Sequence, residues 1–234
     1  GEYMLIALPN LDGSFTCTLF MPFEGDNSLA ELKDIKQVED FFAENFPDSI
    51  EVIPMLAEDF FKNPTSTLVT MKCFPWAYED KIALIGDACH AIVPFYGQGM
   101  NAGFEDITVL NEMIQLYGDD WKTILSEYQK SRKPNADAIA ELSYRNFMEM
   151  SSKTADEKFL LQKKIEKVFS DKHPDLWIPL YSRVTFSDRP YAEALAIGDA
   201  QNAIMEEILK MDQIESIWDS VEVEHKILEL LQDK

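Results

Sequence analysis

The side chains best suited to chemistry crowd into one segment, Ile85-Gly-Asp-Ala-Cys-His-Ala-Ile-Val-Pro-Phe-Tyr-Gly-Gln-Gly-Met-Asn-Ala-Gly-Phe-Glu-Asp106. Glycines let a backbone approach a ligand closely and take positive φ. The spacing predicts a helix from about Asn101, whose start would present unpaired N–H groups and a positive dipole end. Together these make a site for an anion or an electron-rich group. Asp87, at the end of an apolar strand, is placed to accept hydrogen bonds from ligand hydroxyls such as those of a sugar or ribityl chain. The same spacing also serves a plain strand–turn–helix connection, with glycines for turn geometry and Asp87 as a cap. It is neither GxGxxG nor a P-loop. His90 reads as structural beside the loop, and Cys89, near Asp87, is not given a catalytic role.

The elements that must position this segment are mixed. Tyr3–Pro9 and Ser14–Met21 read as a β-hairpin around the turn Asn10-Leu-Asp-Gly13. Alternation puts Ile6 and Leu8 on one face, and likewise Thr18 and Phe20. Strands are expected at 67–73 and 82–85, and a strand or irregular stretch at 50–55. Helices are expected at 31–46, 101–117, 121–132 up to Pro134, 135–150, 157–169 and 192–211, with an acidic amphipathic stretch at 214–231. The predicted class is α+β. The expected regions are a partial substrate-side sheet (1–80), the strand–loop–helix segment (81–134) and a helical region (135–234), as parts of one folding unit.

Composition narrows the partners. The chain has 234 residues with 21 Lys+Arg against 42 Asp+Glu, a formal charge of −21. That balance argues against a nucleic-acid surface and an anionic membrane partner. Apolar content of 46% excludes wholesale disorder. Cys17, Cys73 and Cys89 form no CxxC pair, and His90, His173 and His225 lie far apart, so neither a disulfide framework nor a metal site is expected. No apolar run spans a membrane and no signal-peptide pattern is present, so a soluble, cytoplasmic protein is expected.

The string Gly86-Asp-Ala-x-His90-x-x-x-Pro94-x-x-Gly97-Gln-Gly99-x-Asn101-x-Gly103-x-Glu-Asp106 resembles the second FAD-binding motif of the single-component flavoprotein aromatic hydroxylases. Further blocks resemble the kynurenine-hydroxylating branch of that family. They are Leu5–Asn10, Ser14–Phe23, Ala91–Asp106, Glu141-Leu-Ser-x-x-Asn146-x-x-Glu149-Met150 and Ile178-Pro-Leu-Tyr181-x-x-Val-Thr-Phe-Ser187. The resemblance implies an antiparallel substrate-domain sheet, FAD as cofactor, NADPH as co-substrate, and O2-dependent conversion of L-kynurenine to 3-hydroxykynurenine. It implies that Asp87 contacts the ribityl chain, with Pro94, Gly97, Gln98, Gly99, Met100 and Asn101 beside the isoalloxazine. Asn146 and Tyr181 would bind the substrate's carboxylate, Glu149 would support that polar network, and Met150, Phe95, Pro94, Phe20, Thr18, Ile6 and Leu8 would wall its ring. No residue is required as a covalent nucleophile.

The sequence carries no GxGxxG, and it lacks the Arg and Tyr that the family places on the substrate's amino-acid end. It therefore reads as the C-terminal half of such an enzyme, with about 200 residues ahead of it that would hold the ADP part of FAD. Alone it is expected to hold FAD weakly and to be inactive, with the missing half or a second copy as partner. Two alternatives stay open: a related flavin monooxygenase acting on another aromatic substrate, or a non-catalytic fragment.

Overall fold

A computed structural model describes residues 3–154 and 156–232, which divide into two units, Gly1–Leu68 and Val69–Lys234. The fold is α+β. In the first unit, β1 (Met4–Pro9) and β2 (Phe15–Phe20) pair antiparallel, with Met4 opposite Phe20 and Ile6 opposite Thr18. Gly13 turns the chain at φ +82°, and the Asp12 carboxylate accepts from the Ser14 N–H at 3.0 Å. α1 (Ile35–Asn45) starts in a capping box: Asp34 accepts from the Gln37 N–H while the Gln37 side chain accepts from the Asp34 N–H. Its stripe Val38, Phe41 and Phe42 packs with Leu5, Leu19, Met21 and Ala57. α2 (Pro47–Ile50) and α3 (Leu56–Lys62) complete the unit.

Because Leu5 and Leu19 face the helices, strand alternation turns Ile6, Leu8, Thr18 and Phe20 to the opposite face of the hairpin. The expected third strand at 67–73 does not form. Among the described residues the hairpin stays two-stranded, and the Met71 N–H donates to the Ala91 carbonyl instead. Leu68, Val69 and Met71 are exposed, so this β-favouring run has no pleated neighbour to pack against.

The second unit opens with a two-residue pair, β3 (Ala77–Tyr78) and β4 (Ile82–Ala83), shorter than the strand expected over 82–85. α4 (Asp87–His90), a 3-10 turn (Pro94–Tyr96) and α5 (Gly99–Tyr117) follow. α6 (Trp121–Met148) then runs through Pro134, where a break was expected. An interior proline costs about 3 kcal/mol. Burial of Ile124, Ile139 and Leu142 on the same helix, about 1.5–3 kcal/mol for each side chain, exceeds that.

A π-helical turn (Glu149–Lys153) extends α6, and α7 (Glu157–Lys172), α8 (Leu180–Thr185) and α9 (Tyr191–Ile208) follow. The Asn135 side chain accepts from the Ala192 N–H and so caps α9. The acidic stretch after 213 forms α10 (Ile214–Ile217) and α11 (Val221–Gln232). Their apolar stripe, Ile214, Val223 and Ile227, is buried with Phe169, Trp177, Ile204 and Ile208. Among the described residues no helix is long and apolar enough to cross a membrane.

Candidate functional site

The glycine loop is built by two backbone turns that need glycine. Gly86 sits at φ +60°, ψ −137°, a region closed to side chains with a Cβ. Gly97 ends the 3-10 turn in the left-handed region at φ +67°. Gly86 also lies against α5: a Cβ on it would be 3.8 Å from the Gly103 Cα. Asp87 opens α4 with an exposed side chain. α5 begins at Gly99, two residues earlier than expected, with no side-chain cap and no acidic residue in its first turn. Its positive end is therefore open, and Pro94, Gly97, Met100 and Asn101 are exposed around it. Gln98 is buried. Its Oε1 accepts from the Tyr191 hydroxyl at 2.9 Å and from Asn101 Nδ2 at 3.0 Å, so this side chain holds the helix start in place.

Beneath the loop lies a polar cluster that sequence reasoning missed. Asp106 accepts from Arg132 Nε at 2.7 Å, from the Gly86 N–H at 2.9 Å and from His90 Nε2 at 2.5 Å. Burial would raise the Asp106 carboxyl; the bonds from His90, Arg132 and Gly86 overcome it and hold the carboxyl below the ordinary carboxylate value. Burial, reinforced by the charge of Asp106, pushes the Cys89 thiol up to about 12. Cys89, His90 and Asp106 offer ligand atoms within 4.8 Å of one another. Yet the Arg132 cation occupies the carboxylate, and the thiol donates to the Gly86 carbonyl at 3.3 Å, so the cluster is a hydrogen-bond network rather than a cation site, with His90 Nδ1 buried and unpartnered among the described residues. The available signal was Asp106 itself, the last residue of the glycine motif. Nothing in sequence marked Arg132 as its partner.

A second group gathers beside the loop. Asn146 Nδ2 donates to the Phe95 carbonyl at 2.7 Å and lies 3.7 Å from the Met150 sulfur. Phe95 packs on Phe147 with ring centres 4.7 Å apart. Tyr96 stacks on Tyr181 at 5.5 Å, and the Tyr181 hydroxyl has no hydrogen-bond partner among the described residues. Burial raises the Tyr96 hydroxyl pKa, and the charge of half-buried Glu149 adds to it. Glu149 opens the π-helical turn, a distortion that recurs at functional sites. The structure thus brings Phe95, Asn146, Met150 and Tyr181 to the 3-10 turn and its flanks. Ile6, Leu8, Thr18 and Phe20 share the hairpin face of the first unit.

An uncapped helix start beside two turns at positive φ, edged by an exposed carboxylate, suits the electron-rich ring and the hydroxyl chain of a flavin. The comparison at the level of class agrees: the FAD binding domain family matches residues 37–143, which include the whole glycine loop. At the level of individual proteins, the chain is similar to kynurenine 3-monooxygenases. It is 87% identical to that of Flavobacterium johnsoniae over 99% of this chain and 52% of that protein. It is 76% identical to that of Flavobacterium psychrophilum over 100% of this chain and 52% of the relative. Identity to the Dictyostelium discoideum protein is 46%, over 90% of this chain and 48% of the relative. The chain thus spans about half the length of the relatives it matches.

Proposed function

We propose that the whole protein hydroxylates L-kynurenine to 3-hydroxykynurenine with FAD, NADPH and O2, and that this chain supplies the flavin loop and part of the substrate pocket. The observation that carries the reading is the open start of α5 next to the group formed by Phe95, Asn146 and Tyr181. Bound FAD supplies the activation of O2 that delivers one oxygen atom to an aromatic carbon. The residues of the chain bind, orient and exclude water.

In this reading the Asp87 carboxylate accepts hydrogen bonds from the ribityl hydroxyls. The N–H groups at Gly99, Met100 and Asn101 face the electron-rich edge of the ring, with Pro94, Gly97 and Gln98 shaping the loop. Asn146 gives one N–H to the Phe95 carbonyl, and its second, set only against the weak acceptor sulfur of Met150, turns to the ligand carboxylate in this reading. The Tyr181 hydroxyl is a second donor, and Glu149 tunes the field around both. Pro94, Phe95 and Met150 wall the aromatic ring; for Ile6, Leu8, Thr18 and Phe20 of the hairpin the same role rests on the family resemblance alone. The high identity to proteins named for this activity supports the choice of substrate. The test is NADPH oxidation by the full-length, FAD-loaded protein across a panel of aromatic acids. Stimulation by L-kynurenine above all others is expected; preference for another member overturns the substrate assignment.

A further inference from the structure

One carboxylate joins four segments of the second unit. Oδ2 of Asp106 accepts from the Gly86 N–H and from His90 at the end of α4, and Oδ1 accepts from Arg132 in the middle of α6. Arg132 carries the web back to α5, donating to the Ala102 carbonyl at 3.2 Å and pairing with Glu105 at 2.7 Å. Asp106, Arg132 and His90 are 0%, 1% and 3% exposed, so none of them reaches a ligand directly.

The tied points are telling. Gly86 immediately precedes Asp87, and Ala102 immediately follows Asn101. The web therefore grips both ends of the surface that would meet the flavin: the carboxylate at one end, the helix start at the other. Gly86 lies close against Gly103 of α5, an approach with no side chain to hold it. Burying an ion pair is a poor route to stability, since apolar replacements of similar volume often match it. A buried carboxylate held by three donors at once instead fixes geometry.

We infer that Asp106, with Arg132 and His90, is the positioning device of the flavin loop: it sets Asp87 against the start of α5, and flavin affinity depends on it without contact. The inference rests on the flavin reading above. In full-length protein stripped of flavin, FAD is titrated by fluorescence quenching and by the visible absorption band. Asp106→Asn and Arg132→Lys are compared with Glu224→Gln, which alters the separate pairing of Lys172 and His173 with α11. At a temperature where circular dichroism matches wild type, the two cluster variants should bind FAD about tenfold more weakly or worse. Their flavin band should lose its wild-type shape, while Glu224→Gln keeps both. If Asp106→Asn does not fold, His90→Gln, which alters one bond to Asp106 and the ring contact with Trp76 but keeps the Arg132 pair, decides in the same way. Folded cluster variants with wild-type FAD affinity and band shape overturn the inference. Wild-type protein that takes up no FAD overturns the flavin reading itself.

Discussion

Asn146 donates its side-chain amide to the Phe95 carbonyl at 2.7 Å, across 51 residues of chain. The bond pins the 3-10 turn to the last turn of α6, and the other N–H of Asn146, set against the weak acceptor sulfur of Met150, is the one the proposed function gives to a ligand. Asn146→Ala removes both functions. In the full-length protein the KM for L-kynurenine should rise about tenfold, the worth of one hydrogen bond to a charged group. Steady-state kinetics check it; an unchanged KM would remove Asn146 from the pocket.

Tyr181 separates ring from hydroxyl. Tyr181→Phe keeps the stack on Tyr96 and deletes only the donor, so KM should rise with thermal stability intact. Tyr181→Ala deletes the stack too, and should lower the melting temperature in addition.

Asp106 makes stability depend on acid in a defined direction. Its folded value lies below the ordinary 3.8, so its contribution is complete above that value and is lost as pH falls through the lowered one. Asp106→Asn leaves buried Arg132 with only the more exposed Glu105 as its charge partner, a change that costs at most about 3–5 kcal/mol. Thermal melts across a pH series should show the widest gap between wild type and variant near neutrality. The gap should close toward strong acid; a gap independent of pH contradicts the ionised state of Asp106.

Cys89 is fully buried with its thiol pushed up to about 12, whereas Cys17 is exposed on β2. Iodoacetamide at about pH 8 should therefore label Cys17 in the native chain and spare Cys89 until denaturant is added. Peptide mass spectrometry reads the two sites separately.

The two loop glycines should differ in sensitivity. Gly97 occupies the left-handed region, where alanine costs about 1–2 kcal/mol. Gly86, at ψ −137°, lies outside it, and its N–H must also reach Asp106. Gly86→Ala should lower stability in urea by more than Gly97→Ala; the reverse order would show that the Gly86 turn is not constrained.

Much of this was legible in the sequence where local chemistry decides. Asp12-Gly13 and the alternation of Leu5, Leu19, Ile6 and Thr18 give the hairpin and the opposition of its two faces. The run at 67–73 has the composition of a strand, but a ladder needs a neighbour, and that is decided far along the chain. Pro134 reads as a break until the burial on either side of it is known. Asn146 and Tyr181 stood out only through resemblance, because a helical Asn or a core Tyr carries no mark of its own. The bond between Asp106 and Arg132 joins residues 26 apart, and arginines are mostly exposed, so only the three-dimensional structure reveals it.

The most direct test of the central claim uses the full-length protein with FAD, NADPH, L-kynurenine and oxygen-18 gas, followed by mass spectrometry of the product. The account predicts 3-hydroxykynurenine carrying one oxygen-18 atom from the gas. NADPH oxidation without that product, or a hydroxyl drawn from water, would contradict it.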